Sequence, residues 1–341
     1  MKSFERGIKT NILLTVLLVL LVVLNLVFGS VNIPVSRLLR ILLGEDEQSS
    51  WAYIVWESRI PQILTAALCG ASLATAGLLL QTTFRNPLAG PSILGITNGA
   101  GLGVGIVMLI TGGIISIGGS MIAGFMAVIT GALIGATAVI MLLLAFATVV
   151  RNNIMLLIVG IMISFLVSSM VMLLNFFATS DNIHSYVMWG MGSFSDVGMD
   201  AMPYFAATCA VGLILSLLLM KPLNAILLGD YYAANLGVDI KRTRLLLLTA
   251  TGILTAASTA FCGPIAFVGL AVPHIARMLT NTSDHTILLP TTMLTGAVIC
   301  MLCNLICVMP QNTVIPINAV TPVFGAPVII YIMVKAGYSQ K

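Results

Sequence analysis

Charge is what this sequence lacks. Lysine and arginine total 15 and aspartate and glutamate 11, so charged side chains make up 8% of 341 residues. A soluble domain devotes roughly a quarter of its residues to charge, because its whole shell faces water. Such a shell cannot be built here, and the class of water-soluble globular proteins is excluded. A lipid-facing exterior removes the difficulty, since the bilayer solvates apolar side chains directly. The hydrophobic fraction of 59% and the mean hydropathy of +1.10 agree.

Other absences narrow the function. Only three histidines occur, His184, His274 and His285, and no carboxylate pair lies within an apolar run. No catalytic constellation follows, and the chain reads as a transport component rather than an enzyme. No G-x-x-x-x-G-K-[ST] loop exists, so the chain has no phosphate cradle for ATP. Ionisable residues are nearly absent from the centres of the apolar runs, where proton- or sodium-coupled carriers keep them. An external energy source is therefore expected. The six cysteines all sit in apolar runs without disulfide or zinc spacing. Cys300, Cys303 and Cys307 fall at helical spacing but read as small hydrophobes of helix packing, so no metal ligand is assigned. The modest net charge of +4 gives no reason to invoke nucleic acid. No polar stretch is long enough to form a second core, and residues 1–341 are expected to be a single transmembrane domain.

What is present is a succession of apolar stretches of spanning length, at about 11–29, 60–83, 92–111, 119–148, 153–177, 201–220, 243–261, 265–280, 287–308 and 319–336. The fold class is all-α: a polytopic membrane protein of about ten transmembrane helices. The first run follows Lys2, Arg6 and Lys9 but has no small-residue cleavage site, and reads as a retained helix. With the N-terminus inside, Lys2, Arg6, Lys9, Arg85, Arg151, Lys221, Lys241, Arg242, Arg244, Arg277, Lys335 and Lys341 fall on the cytoplasmic side. Arg37, Arg40 and Arg59 fall outside. Twelve against three is the bias that retention of basic loops produces, and it places both termini in the cytoplasm. The outer segment 30–59 combines Arg37 and Arg40, an apolar cluster, Glu45-Asp46-Glu47, and the aromatics Trp51, Tyr53 and Trp56. It is expected to include a short helix on the membrane surface. Prolines interrupt many spans, as in a channel or transporter. Phe84…Gly90-Pro91…Gly95 is echoed by Phe261…Gly263-Pro264…Gly269 at the opposite face, a weak inverted repeat.

The run Arg59-Ile60-Pro61-Gln62, Gly70-Ala71-Ser72-Leu73-Ala74, Gly77, Gln81-Thr82-Thr83-Phe84-Arg85-Asn86-Pro87-Leu88-Ala89-Gly90-Pro91 resembles the FecCD-type permeases. Further matches are Trp189-Gly190-Met191-Gly192-Ser193-Phe194, Leu228-Gly229-Asp230, Gly263-Pro264-Ile265-Ala266-Phe267-Val268-Gly269-Leu270, Val272-Pro273-His274-Ile275-Ala276-Arg277, Asp284-His285 and Gly325-Ala326-Pro327. The resemblance covers about 55–336. It implies the membrane subunit of an ATP-binding-cassette importer for iron–siderophore, haem or cobalamin, with iron–siderophore the commonest cargo. It further implies a second copy of this chain, two ATPase subunits that hold ATP and magnesium, an extracytoplasmic binding protein, and a bacterial inner membrane. This chain itself is expected to bind no cofactor.

The resemblance also implies roles. Segment 223–238, with Leu223, Asn224, Leu228, Gly229, Asp230, Ala233, Leu236, Gly237 and Val238, corresponds to the family's ATPase-coupling helices; the plainer reading is a basic-anchored loop. Arg59 and Gln62 lie where the family docks its binding protein, although interfacial snorkelling also accounts for Arg59. Gln62 replaces a usual arginine, Leu302 to Val308 replaces a usual Ala-Asp…Ala-Arg stretch, and Ile315 stands for a usual glutamate. Ser164, Ser168, Ser169 and Asn175 lie on a pore-lining helix of the family, where they serve either the pore or interhelical hydrogen bonds. Arg85, Asn86 and Pro87, with Pro273, His274 and Arg277, form a cytoplasmic motif. Arg85-Asn86-Pro87 is equally a proline-stopped helix with a basic anchor, and His274 is read as a structural or ATPase-facing residue in preference to a metal ligand. A self-powered secondary carrier or a poreless scaffold would need neither the coupling segment nor an ATPase.

Overall fold

In lipid, a helix satisfies every backbone N–H and C=O within one segment, and the apolar runs accordingly fold as helices. The computed structural model describes residues 2–29, 31–45, 49–117, 120–150, 152–310 and 314–338. Arg151 and Lys341 of the basic set, Asp46 and Glu47 of the outer segment, the side chain of Lys335, and the start of the run 119–148 lie outside the described residues. The helices are α1 (Lys2–Val27), α2 (Val35–Leu42), α3 (Ser50–Phe84), α4 (Ile96–Ile110), α5 (Phe125–Val149), α6 (Asn153–Phe177) and α7 (Ser180–Gly190). They continue with α8 (Met202–Leu218), α9 (Met220–Leu227), α10 (Asp230–Asn235), α11 (Ile240–Cys262), α12 (Val268–Thr280), α13 (His285–Val308) and α14 (Ile317–Tyr338). Two short strands, Ile114–Ile117 and Ser120–Ala123, pair antiparallel between α4 and α5. Gly112-Gly113 ends the helical run there, and β-branched isoleucines favour the extended backbone that follows.

Each of the ten expected spans contains one helix. α1, α3, α5, α6, α11 and α13 are long and apolar enough to cross a bilayer, and α8 continues into α9 through a bend of 51°. α4 and α12 are shorter: at 1.5 Å per residue the 13 residues of α12 reach about 20 Å, well short of a ~30 Å hydrocarbon core. The loops before them supply the missing depth. Residues 90–93 ahead of α4 and 265–267 ahead of α12 line one cavity of about 190 Å³ together with Leu73 of α3. These are the two echoed Gly-Pro stretches, reached from opposite ends by α3 and α11. Their backbone groups are held by protein, as lipid requires. Ala266 N–H donates to Asn318 Oδ1 at 3.0 Å, and Asn318 Nδ2 donates to Pro264 O at 2.5 Å.

α3, α11 and α13 form the centre, with 83%, 78% and 72% of their most apolar windows buried, against 17%, 28% and 22% for α1, α5 and α6. Lipid tails offer no hydrophobic drive between helices, so close backbone approach must supply the packing. α3 achieves it at Gly77, where a methyl group would overlap the Gly269 carbonyl, and at Gly70, where it would overlap that of Gly296.

Candidate functional site

One end of the bundle carries the short helices α9, with Lys221, and α10, together with Lys241, Arg242 and Arg244 at the start of α11. The predicted coupling residues divide there into a buried root and an exposed tip. Leu223, Ala225, Ile226 and Ala233 are buried against Leu78 and Leu79 of α3, Leu247 of α11, Ala276 of α12 and Leu288 and Leu289 of α13. Leu228, Tyr231, Tyr232 and Leu236 stand out at 64%, 77%, 64% and 66% exposure. Two aromatic rings and two leucines exposed beside a basic, water-facing loop form an apolar patch of the kind that marks a protein contact. The turn between the helices is made by Gly229 with φ 116°, and Gly237 with φ 83° ends the second, a backbone region other residues enter at a cost. Asp239 then caps α11 by accepting from Arg242 N–H at 3.0 Å. Tyr231 and Tyr232 were not singled out by the motif match; the signal available was an aromatic pair inside a charged loop.

The root is tied to the membrane helices by polar contacts as well. Asn224 Nδ2 donates to Asp284 Oδ1 at 2.6 Å, and Asn224 Oδ1 accepts from both the backbone N–H and ring Nδ1 of His285, each at 2.8 Å. His285 Nε2 lies 2.9 Å from Thr82 Oγ1. Asp284 also caps α13 by accepting from Thr286 N–H and Oγ1. Its partial burial pushes the carboxyl pKa up, but the bonds from Thr286 and Asn224 outweigh that and hold it below the usual value.

The cytoplasmic motif comes together around the end of α3. Arg85, in the left-handed region at φ 47°, closes the helix, pairs with Asp230 at 2.5 Å and donates to Ile226 O at 3.2 Å. Asn86 Oδ1 accepts from Leu88 N–H at 2.9 Å, a local turn before which Pro87 cannot continue the helix. His274 Nε2 donates to Pro87 O at 2.8 Å, and its Nδ1 accepts from Arg277 at 3.4 Å. Arg277 also donates to Gln81 Oε1, whose Nε2 donates to Leu270 O at 3.1 Å. Pro273 is buried within α12. Among the described residues no group of three or more His, Cys, Asp or Glu is placed to hold a metal.

At the opposite end lies Arg59, the first of the two expected docking residues. It is 5% exposed, and its guanidinium donates to the carbonyls of Leu26, Val27 and Val31. It therefore caps the end of α1 through Leu26 and Val27 and ties down the following loop through Val31. Gln62 bonds Ser195 Oγ at 2.8 Å and Asn304 Oδ1 at 3.0 Å, and Asn304 in turn donates to Asn25 Oδ1 at 2.9 Å. This amide chain borders a cavity of about 620 Å³ with Asn182, Trp189 and Asp196, which the motifs did not reveal. On α6, Ser164 and Ser168 both accept from Asn98 of α4, while Ser169 and Asn175 bond carbonyls of their own helix. The first two thus serve interhelical bonding.

The FecCD transport family matches residues 17–335 of the chain. A vitamin B12 import system permease protein, BtuC, of Klebsiella pneumoniae is 33% identical over 324 residues, covering 95% of this chain and 92% of that protein. The BtuC protein of Photorhabdus laumondii is 36% identical over 284 residues, covering 82% of each. A solved structure described as a metal-chelate type ABC transporter in an inward-facing conformation superposes with a TM-score of 0.82 at 30% identity, covering 96% of this chain and 99% of that one. These relatives are transport components and not enzymes. With a predominantly helical, multi-pass body and a family match that runs nearly end to end, the chain belongs to the FecCD transport family.

Proposed function

We propose that this chain is the permease subunit of an ATP-driven importer of a bulky metal chelate in a bacterial inner membrane. The observation that carries the reading is the protruding segment 223–238: an exposed tip of Leu228, Tyr231, Tyr232 and Leu236 on a root buried among four spanning helices. A tip of that kind fits a groove on an ATPase, and the root passes its movement inward, because packed cores transmit displacement instead of absorbing it. ATP and magnesium belong to the partner subunit, in keeping with the missing phosphate loop. The basic end, with both termini, faces the cytoplasm on the charge bias. Two copies share the pore, each contributing α6, whose apolar face (Met162, Phe165, Leu166, Met172 and Leu173 among others) lacks cover within the chain. A binding protein delivers the cargo at the opposite end. It docks on surfaces other than Arg59, and Gln62 at the cavity rim is the remaining candidate of the two.

Two cargoes are in contention. The names of the B12 permeases support cobalamin, whereas iron–siderophore rests on the breadth of the family. Uptake of radiolabelled cyanocobalamin and of a ferric siderophore, in inside-closed vesicles containing the chain, its ATPase and its binding protein, separates them. ATP-dependent accumulation of either chelate supports the proposal and names the cargo. Accumulation driven by an ion gradient without ATP overturns it.

A further inference from the structure

The last turn of α3 is joined by side chains to α6, α12 and α13; beside the half-exposed Arg85–Asp230 pair just past its end, a second link to the protruding segment passes through one buried histidine. We propose that His285 is a positioning residue, the buried joint by which movement of segment 223–238 reaches α3; the inference rests on the function proposed above.

Asn224 is committed on both sides. Its amide donates to the Asp284 carboxylate at 2.6 Å, and its oxygen accepts from His285 backbone N–H and Nδ1 at 2.8 Å each. Because a carboxylate only accepts, the amide orientation follows, and Nδ1 of His285 must carry the proton. Nε2 is then the acceptor, and Thr82 donates its hydroxyl at 2.9 Å. His285 is 1% exposed, so no bulk water stands ready to replace either bond. A shift of α9 must therefore carry the start of α13 with it and pull on Thr82, or break a bond that nothing else satisfies.

From Thr82 the displacement has two further outlets within one turn. The Thr83 carbonyl accepts from Asn153 Nδ2, at the first residue of α6, at 2.9 Å. Gln81 grips α12 through Arg277 and Leu270 O. The chain Asn224–His285–Thr82 thus connects the exposed segment to α6, the long span least covered after α1, without passing through lipid-facing side chains. Such a connection is shown to transmit only by a measured coupling.

The test uses the permease assembled with its ATPase in nanodiscs and a reporter thiol on α6 in M172C, at an exposed position of a chain whose six native cysteines are all buried. The readouts are ATP hydrolysis and the nucleotide-dependent change in maleimide labelling. Thr82→Val, which keeps the shape and removes the hydroxyl, is expected to cut the labelling change about five-fold while hydrolysis stays within about two-fold. Thr82→Ser restores it. Asn224→Ser, at a half-buried site, gives the same loss and guards against a folding defect in the core variant. A full labelling change in Thr82→Val or Asn224→Ser overturns the relay alone. A wild-type chain that binds no ATPase, or shows no nucleotide-dependent labelling, overturns the proposed function and the relay with it.

Discussion

Arg59 shows how much the direction of one side chain decides. A basic residue before Ile-Pro at the outer end of a helix reads the same whether it faces a partner or turns back. What turns it is the end of α1 and the loop after it, some thirty residues earlier, where the carbonyls of Leu26, Val27 and Val31 accept from its guanidinium. Arg59→Leu strands those carbonyls, and the expected cost is ~3 kcal/mol of stability, read as a lower thermal midpoint in detergent. Affinity of the folded fraction for the binding protein should change by less than about three-fold, since rim charges act mainly on encounter. An unchanged midpoint with lost docking would return Arg59 to the docking role. Arg85 is the contrasting case. It and Asp230 are both close to half exposed, so Arg85→Ala should shift stability by less than ~1 kcal/mol.

At the scale of elements, the spans were legible because length and apolarity are local properties. The ten spans are placed from hydropathy, proline and charge alone, and each holds a helix. The hairpin after α4 and the shortness of α12 were not legible in the same way. The second depends on what lies opposite: the loop before α12 leaves helical geometry where Asn318, from a distant segment, meets the backbone groups of Pro264 and Ala266. The echoed Gly-Pro stretches carried a trace of this, and their meeting in one cavity is the tertiary fact behind a faint pattern. Close approach at Gly77 gives a direct check on the α3–α12 contact. Gly77→Leu must force the helices apart, and overpacking of this kind costs at least ~1–3 kcal/mol. A sharp fall in detergent-stable yield is expected; wild-type yield and midpoint would contradict the packing. The segment 223–238 makes the opposite prediction. Tyr231→Asp and Leu228→Asp alter exposed side chains, so stability should hold within ~0.5 kcal/mol while affinity for the ATPase falls by about ten-fold or more. Leu223→Asp, in the buried root, should instead compromise folding.

For the whole molecule, the proposed division of labour agrees with the family of importer permeases the chain matches. A chain with neither a phosphate loop nor midplane charges is in keeping with an energy source on a partner subunit. The end that bears the basic loops also bears the exposed aromatic tip and the bonded turn of α3. Mechanism and topology therefore point to the same face. The cargo is the part least written in the chain, because the cavity at the far end is lined by neutral amides, hydroxyls and apolar groups with one carboxylate, a chemistry compatible with more than one chelate. The central claim is tested most directly by purifying the tagged chain from native membranes in mild detergent, with and without Tyr231→Asp, and identifying what accompanies it by mass spectrometry. The account predicts an ATPase with a phosphate-loop sequence at one copy per permease with the wild-type chain, and its loss from the variant. Recovery of the wild-type chain without any ATPase, or an ATPase retained undiminished by the variant, would contradict it.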